Sequence, residues 1–282
     1  AIHSFPTRRS SDLEAKTIEM IKKNPSIIKN IDNPTEEMKL IAINKNGLLL
    51  RYINNPTLEM QEIAMNNNPR AIEFIENPTE KMMIEAVNNG WSNLNYIKNP
   101  SYNVIKLAIE QRGWAIRYVK EPSEELQLLA VMRDYDSIKY IKEPYESVQE
   151  AAVNISYDAL RYINSPCYKA EVAAIKNNEA AVKFITDLNK DKILNFLKVN
   201  ILVIRYITRS MLNEISHEEL EEIFKEVLSK DDVDEKYVRD FLNCSIIDRN
   251  SEIIDIDKIM FIYKYGSKKT KRIAVDEKLK MM

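Results

Sequence analysis

The sequence predicts an all-α protein, an α-solenoid of about eight stacked two-helix repeats with a C-terminal helical cap. Three observations predict this fold. Prolines recur every 22 residues, at positions 34, 56, 78, 100, 122, 144 and 166. Eight residues after each proline (position +8) the chain has an alanine, in the column Ala42, Ala64, Ala86, Ala108, Ala130, Ala152 and Ala174. Positions +9, +16 and +19 are always apolar, and position +18 is always Tyr or Phe.

Each repeat divides into two helical segments. Apolar residues at +4 and +8 predict a first helix over +2 to +11. Its N-cap is either the Ser or Thr after the proline, or the Asn before it with proline at the first helical position. Small or polar residues near +12 and +13 break the helical pattern, and a second helical segment covers +14 to +20. That segment is short enough for an α-turn or a 3₁₀-helix. Neither helix would be stable alone, so the alanine column is expected to be buried between neighbouring repeats.

The repeat frame extends beyond the prolines in both directions. Met20, Ile21 and Ile28 fit the apolar columns upstream, and Leu188 occupies the proline position downstream. We therefore assign residues 14–208 to the repeat domain. After residue 208 the period is lost, and residues 209–282 are assigned to the helical cap. Three cap helices are predicted, one opened by a capping box at Ser216, one through residues 237–242, and one over residues 253–265.

The first thirteen residues are set apart from the fold. Residues 4–13 read SFPTRRSSDL, which resembles the translation of a sequencing-library adapter, and the alternative is an ordinary polar tail. We expect the native N-terminus to be missing from this sequence. Deletion of residues 1–13 is predicted to leave the melting temperature unchanged.

Composition narrows the function classes. The chain has 282 residues, 45% hydrophobic and 30% charged, with a net charge of −2. These values exclude a disordered chain and argue against a strongly basic nucleic-acid binder. No apolar run is long enough to span a bilayer, which excludes a transmembrane protein. No membrane partner and a cytoplasmic location are expected. Four glycines leave no room for a glycine-rich phosphate loop.

The repeated pattern NP-[ST]-x-E, followed by A-[IV] and [IL]-x-[YF]-I, resembles short helical repeats found in many bacterial and phage proteins of unknown function. It is also similar to the leucine-rich-repeat-variant group, whose units pair an α-helix with a 3₁₀-helix. The resemblance covers residues 14–208 and implies a curved right-handed solenoid with an interaction role. The iron–sulfur cluster of the variant group is not expected, because the only cysteines are Cys167 and Cys244.

Side chains suited to catalysis are sparse. His217 is predicted on a helix surface, and Cys167 stands where other repeats have a Thr, Ser or Tyr. The acidic residues 231–235 lack the glycine and terminal glutamate of a calcium loop. The aromatic column at +18 is interpreted as core packing rather than as a platform for nucleic-acid bases. The protein is therefore predicted not to be an enzyme, with no catalytic residue, cofactor or metal.

Position +17 is the one column that suggests a binding site. Between Arg51 and Arg205 it is basic in six of eight units, and the basic residues are Arg51, Arg117, Lys139, Arg161, Lys183 and Arg205. Because the flanking positions are apolar, these side chains are expected to point outward. Two interpretations stay open: a solvated face paired with nearby glutamates, or a surface for an acidic partner. We expect a non-catalytic scaffold that binds an acidic protein or peptide on its concave face, lined by the short helices. The alternative is a nucleic-acid-binding module.

Overall fold

The structure, a computed structural model, describes residues 8–280. The predicted all-α repeat architecture is confirmed: an α-helix and a 3₁₀-helix (η) alternate through most of the chain. Two compact units are present, one ending at Tyr140 and one beginning at Ile141. Residues 1–7 of the predicted N-terminal tail lie outside the described residues, and the first helix begins at Arg8.

The first unit holds six helix pairs. Their bounds are α1 Arg8–Lys23, η1 Pro25–Asn30, α2 Glu36–Lys45, η2 Gly47–Tyr52, α3 Leu58–Asn67, η3 Pro69–Phe74, α4 Glu80–Asn88, η4 Trp91–Tyr96, α5 Tyr102–Gln111, η5 Gly113–Tyr118, α6 Glu124–Arg133 and η6 Tyr135–Tyr140. Typically, a 3₁₀-helix contacts both its own α-helix and the α-helix of the next repeat.

The second unit holds three further pairs and the C-terminal region. The pairs are α7 Glu146–Ile155 with η7 Tyr157–Tyr162, α8 Tyr168–Asn177 with η8 Glu179–Phe184, and α9 Lys190–Val199 with η9 Ile201–Tyr206. The C-terminal elements are α10 Arg209–Leu212, α11 His217–Leu228, α12 Glu235–Asn243, β1 Ile247–Asp248, β2 Ile254–Asp255, α13 Lys258–Tyr265 and α14 Lys268–Lys280.

The described residues thus contain nine pairs, and the predicted number of about eight was too low. Two units that lack the leading proline, α1 with η1 and α9 with η9, form in addition to the seven units that begin with proline. The first helix covers +2 to +11 as predicted, for example in α2. The second is a 3₁₀-helix over +13 to +18, not a segment over +14 to +20. It begins one residue earlier because the residue at +12 caps it, as where Asn46 Oδ1 accepts a hydrogen bond from Leu48 N at 3.1 Å.

The hydroxyl residue after the proline starts the longer helix in most of the regular repeats. Thr35 Oγ1 accepts a hydrogen bond from Met38 N at 3.3 Å, which satisfies an N–H that has no partner within the helix. The same cap forms at Thr57, Thr79, Ser101 and Ser123. The structure thus decides between the two predicted caps, because the proline lies before the N-cap residue.

The core lies between adjacent repeats. All seven alanines of the +8 column have no exposed surface, and at +9 the apolar side chains are at most 4% exposed. A methyl group at +8 allows the neighbouring backbone to approach closely, so a larger side chain there would force the repeats apart.

Glycine at +13 marks a close approach between neighbouring repeats. In Gly113 the N–H donates to Asp134 Oδ2 of the next repeat at 2.7 Å. An added Cβ at Gly113 would lie 2.3 Å from the carbonyl oxygen of Ala130. Gly47 has the same relation to the next repeat, with an added Cβ 2.1 Å from Ala64 O. Backbone at such a distance cannot yield as a flexible side chain would.

We expect Gly113→Ala to destabilise the first unit by about 1–3 kcal/mol, because it overpacks the contact with Ala130. The measurement is the melting temperature from circular dichroism. Gly90→Ala is the matched control, since an added Cβ there would meet only Asn93 Nδ2 at 3.8 Å. Equal losses in the two variants would show that the contact with Ala130 does not limit the substitution.

The C-terminal region packs against the last helix pair. Helix α11 contacts α9, and α12 contacts η9. The predicted capping box forms: Ser216 Oγ accepts from Glu219 N at 3.2 Å, and Glu219 Oε2 accepts from Ser216 N at 2.8 Å. The buried hydroxyl of Tyr237 donates to Leu197 O at 2.8 Å, and burial raises the pKa of Tyr237. These contacts cover the end of the repeat array in this unit.

The third predicted cap helix was placed too early. It begins at Lys258 rather than at residue 253, because Asp257 accepts a hydrogen bond from Met260 N at 3.0 Å and caps it. The preceding residues instead form β2, which pairs in parallel with β1. Within residues 8–280, no helix has both the length and the apolar character required to cross a membrane.

Candidate functional site

The six basic residues of the +17 column are all exposed. Each is the fifth residue of its 3₁₀-helix and lies between a buried residue at +16 and an apolar residue at +19. Sequence reasoning missed a seventh member, Lys29 of η1, which is also exposed. The signal was the repeat frame itself, since Lys29 is 22 residues before Arg51.

The aromatic column at +18 was predicted to be core, and this was wrong. Tyr52 is 41% exposed and Tyr162 is 37% exposed. The other rings are partly exposed, and they are Phe74, Tyr96, Tyr118, Tyr140, Phe184 and Tyr206. In the 3₁₀-helix the core-facing positions are mainly +15 and +16, followed by +19 just after the helix. Within each unit, the cations and rings therefore occupy one surface, which we call the cation–aromatic ladder of that unit.

In the second unit the ladder runs through three consecutive repeats. The guanidinium carbon of Arg161 lies 5.7 Å from the ring centroid of Tyr162 and 5.5 Å from that of Phe184 in the next repeat. Lys183 Nζ lies 4.6 Å from the ring centroid of Tyr206, again in the next repeat. A cation of one repeat thus lies over the ring of the following repeat.

The first unit repeats this arrangement. Arg117 Cζ lies 4.0 Å from the ring centroid of Tyr140 in the next repeat, and Arg51 Cζ lies 5.9 Å from that of Phe74. An exposed cation–π contact contributes roughly 0.5–1 kcal/mol. The rings therefore orient the cations without neutralising their charge.

Nearby carboxylates do not neutralise most of the ladder. Among the described residues, no carboxylate oxygen lies within 4.0 Å of five of its predicted cations, which are Arg51, Arg117, Arg161, Lys183 and Arg205. Lys139 differs, because its Nζ lies 2.6 Å from Asp136 Oδ2. The interpretation of the column as a face paired with acidic neighbours therefore accounts for Lys139 only.

Asp136 is held in place by two donors. It accepts hydrogen bonds from Trp114 Nε1 at 2.7 Å and from Lys139 Nζ at 2.6 Å. Partial burial by itself would raise the pKa of Asp136, but the two hydrogen bonds, together with the charges of Lys139 and Arg112, outweigh burial and lower the pKa. Asp136 therefore stays ionised and compensates the charge of Lys139.

Two further carboxylates belong to the short helices of the second unit. Asp158 and Glu179 lie in the first turns of η7 and η8. Among the described residues, neither comes within 4.0 Å of a lysine or arginine nitrogen. Arg161, Lys183 and Arg205 thus form the longest run of consecutive ladder cations without an ion pair in either unit.

The residues considered for catalysis lie apart from this surface. His217 is the first residue of α11, and its Nε2 lies 3.0 Å from Asp255 O. Cys167 is the N-cap of α8 and makes no side-chain capping hydrogen bond. In the part of the chain that the structure describes, no three or more His, Cys, Asp or Glu side chains are arranged to hold a metal ion.

The cation–aromatic ladder is therefore the strongest candidate site in the described chain. It combines exposed charge, repetition in consecutive repeats and orientation by neighbouring rings. No family model, curated protein or solved structure matches the chain.

Proposed function

We propose that the protein is a non-catalytic repeat scaffold that binds an acidic protein or peptide along the cation–aromatic ladder. One observation carries the proposal: Arg161, Lys183 and Arg205 recur at one position of consecutive repeats, exposed and with no carboxylate within 4.0 Å among the described residues. A row of like charges creates a local positive potential even though the whole chain has a net charge of −2. The resemblance to short helical repeats implies the same kind of role.

The rings favour carboxylate binding by orienting the cations in advance. A long side chain that is already held loses less conformational freedom when a ligand binds. Arginine can then donate two parallel hydrogen bonds to one carboxylate, while lysine acts as a point charge. The placement of the ladder on a concave face stays a prediction.

A nucleic acid is the second candidate, and the partly exposed rings favour it. Aromatic rings interleaved with cations are typical of surfaces that bind single strands. In this ladder, however, cations already lie over Phe184 and Tyr206, at 5.5 and 4.6 Å from the ring centroids. A base could stack on that side only by displacing the cation that would bind phosphate. For a duplex, cations spaced by about 8–10 Å would also skip most phosphates, which recur every ~3.4 Å along each strand.

Fluorescence anisotropy with two labelled probes tests the proposal. The probes are an oligoglutamate peptide and a single-stranded RNA of equal length. We expect the peptide to bind more tightly, and its affinity to fall with added salt because exposed charges are screened within ~8–10 Å at physiological ionic strength. Absence of peptide binding at low salt would overturn the proposal, and tighter RNA binding would favour the second candidate.

A further inference from the structure

We infer that the ligand lies extended along the ladder of the second unit, with one acidic side chain at every third residue. This inference rests on the proposed function and specifies the ligand that the surface selects. Its basis is the match between the repeat distance of the ladder and the rise of an extended peptide.

In the second unit the ladder offers one cation and one ring in each of its three repeats. Neighbouring packed helices lie about 8–10 Å apart, which sets the distance between successive cations. The contacts across repeats agree with a short step, since Arg161 lies 5.5 Å from the ring centroid of Phe184 in the next repeat. A ligand that neutralises all three cations must therefore present carboxylates about 8–10 Å apart.

A polyproline II segment meets this requirement. It rises ~3.1 Å per residue with three residues per turn, so every third side chain points the same way at intervals of ~9.3 Å. A β-strand does not, because its side chains alternate and the third residue along points to the opposite face. Seven residues, with acidic side chains at the first, fourth and seventh, would span Arg161, Lys183 and Arg205.

The rings favour the same conformation. Tyr157 stacks on Phe184 with centroids 6.4 Å apart, so an aromatic pair lies beside Arg161. Segments in polyproline II conformation dock on surfaces lined by aromatic side chains. Prolines or small apolar residues between the acidic positions of the ligand would then contact the parts of the rings that stay exposed beside the cations, while the carboxylates contact the cations.

Peptides of equal composition test the register. One proline-containing peptide has Glu at positions one, four and seven, and its isomer has Glu at positions one, three and five. We expect the first to bind the whole protein about tenfold more tightly by anisotropy. Equal affinities would overturn the three-residue register while the proposed function stands. Absence of binding by both peptides and by oligoglutamate would overturn the proposed function as well.

A third peptide tests a helical ligand. In an α-helix, residues seven apart are separated by ~10.5 Å along the axis, so a helix with Glu at every seventh residue also matches the spacing. Tighter binding by that peptide would overturn the extended conformation.

The register also predicts a specific pairing. Lys183→Gln should weaken binding of the peptide with Glu at positions one, four and seven. It should have little effect on the affinity of a version in which the Glu at position four is replaced by Gln. If Lys183→Gln weakens both versions equally, the middle carboxylate does not contact Lys183 and the register is wrong.

Discussion

Reversing three ladder cations together, in the variant R161E/K183E/R205E, should abolish binding of the acidic peptide. Each substitution removes an exposed attraction of roughly 0.2–1 kcal/mol and adds a repulsion of similar size. Summed over three sites, this gives a loss of about 3 kcal/mol, or about a hundredfold in affinity. Anisotropy at low salt measures the loss. Helicity should be unchanged, because all three side chains are exposed.

A control variant separates the ladder from net charge. K142E/K169E/K176E changes the charge of the second unit by the same amount at exposed residues outside the ladder. We expect this control to retain most of the affinity. If it loses as much as the ladder variant, binding depends on overall charge and the ladder is not the site.

The sequence was sufficient to place the ladder cations but not the rings. Position +17 lies between apolar positions, so its outward direction followed from the pattern. The aromatic column is also always occupied by a large apolar ring, which favoured the core. Residues at +15, such as Ala115 and Ala159, instead fill the core-facing side of the short helix. Small side chains in that column were the signal that the rings lie outside.

Ion pairing along the ladder could not be predicted from spacing. Asp136 and Asp158 each stand three residues before a ladder cation, Lys139 and Arg161 respectively. Only Asp136 makes the ion pair. Trp114 explains the difference, because its Nε1 donates to Asp136 and fixes the carboxylate. Trp114 is 22 residues before Asp136, whereas the residue 22 positions before Asp158 is Asp136 itself. An ionised carboxylate has no proton to donate, so Asp158 is not fixed by a hydrogen bond of this kind.

Departures from the repeat pattern also carry structural information. At position +5, Gln61, Gln127 and Gln149 donate from Nε2 to the carbonyl oxygen of their own repeat's proline at 3.0–3.1 Å. Glu171 occupies the same column but, when ionised, has no proton to donate. At position +4 the regular repeats have an apolar residue, whereas the next unit has Lys192. The two departures compensate each other, since Glu171 and Lys192 form an ion pair.

This pair is the most deeply buried ion pair in the described residues. Glu171 is 1% exposed, and its Oε1 accepts a hydrogen bond from Lys192 Nζ at 2.9 Å. The same ammonium contacts the exposed carboxylate of Asp187 at 2.7 Å. Burial raises the pKa of Glu171, and the hydrogen bond and charge of Lys192 oppose that rise only in part. The ion pair with Lys192 therefore favours the ionised form of Glu171 against the burial that disfavours it.

Lys192→Met should be among the most destabilising single substitutions in the second unit. Methionine is found at this position in other repeats, as in Met38 and Met60, so its shape suits the stack. The substitution leaves the buried carboxylate of Glu171 without its ionic partner. Removal of one partner of a buried ion pair lowers the free energy of unfolding by about 3–5 kcal/mol. Without Lys192 the pKa of Glu171 rises further, so the folded state takes up a proton more readily than the unfolded state. The loss is therefore full only above that raised pKa, where Glu171 is ionised, and it shrinks as the pH falls toward and through that pKa.

Thermal unfolding followed by circular dichroism, at neutral and at mildly acidic pH, measures this loss. The double variant E171Q/K192M is the control, because the amide introduced by E171Q could donate to the Pro166 carbonyl as the native glutamines of the column do in their own repeats. We expect the double variant to recover most of the melting temperature at neutral pH. If the double variant unfolds at the same temperature as K192M, or if the loss of melting temperature in K192M is independent of pH, the unpaired carboxylate of Glu171 is not the cause. The loss would then reflect the contacts that the lysine makes along its methylene chain.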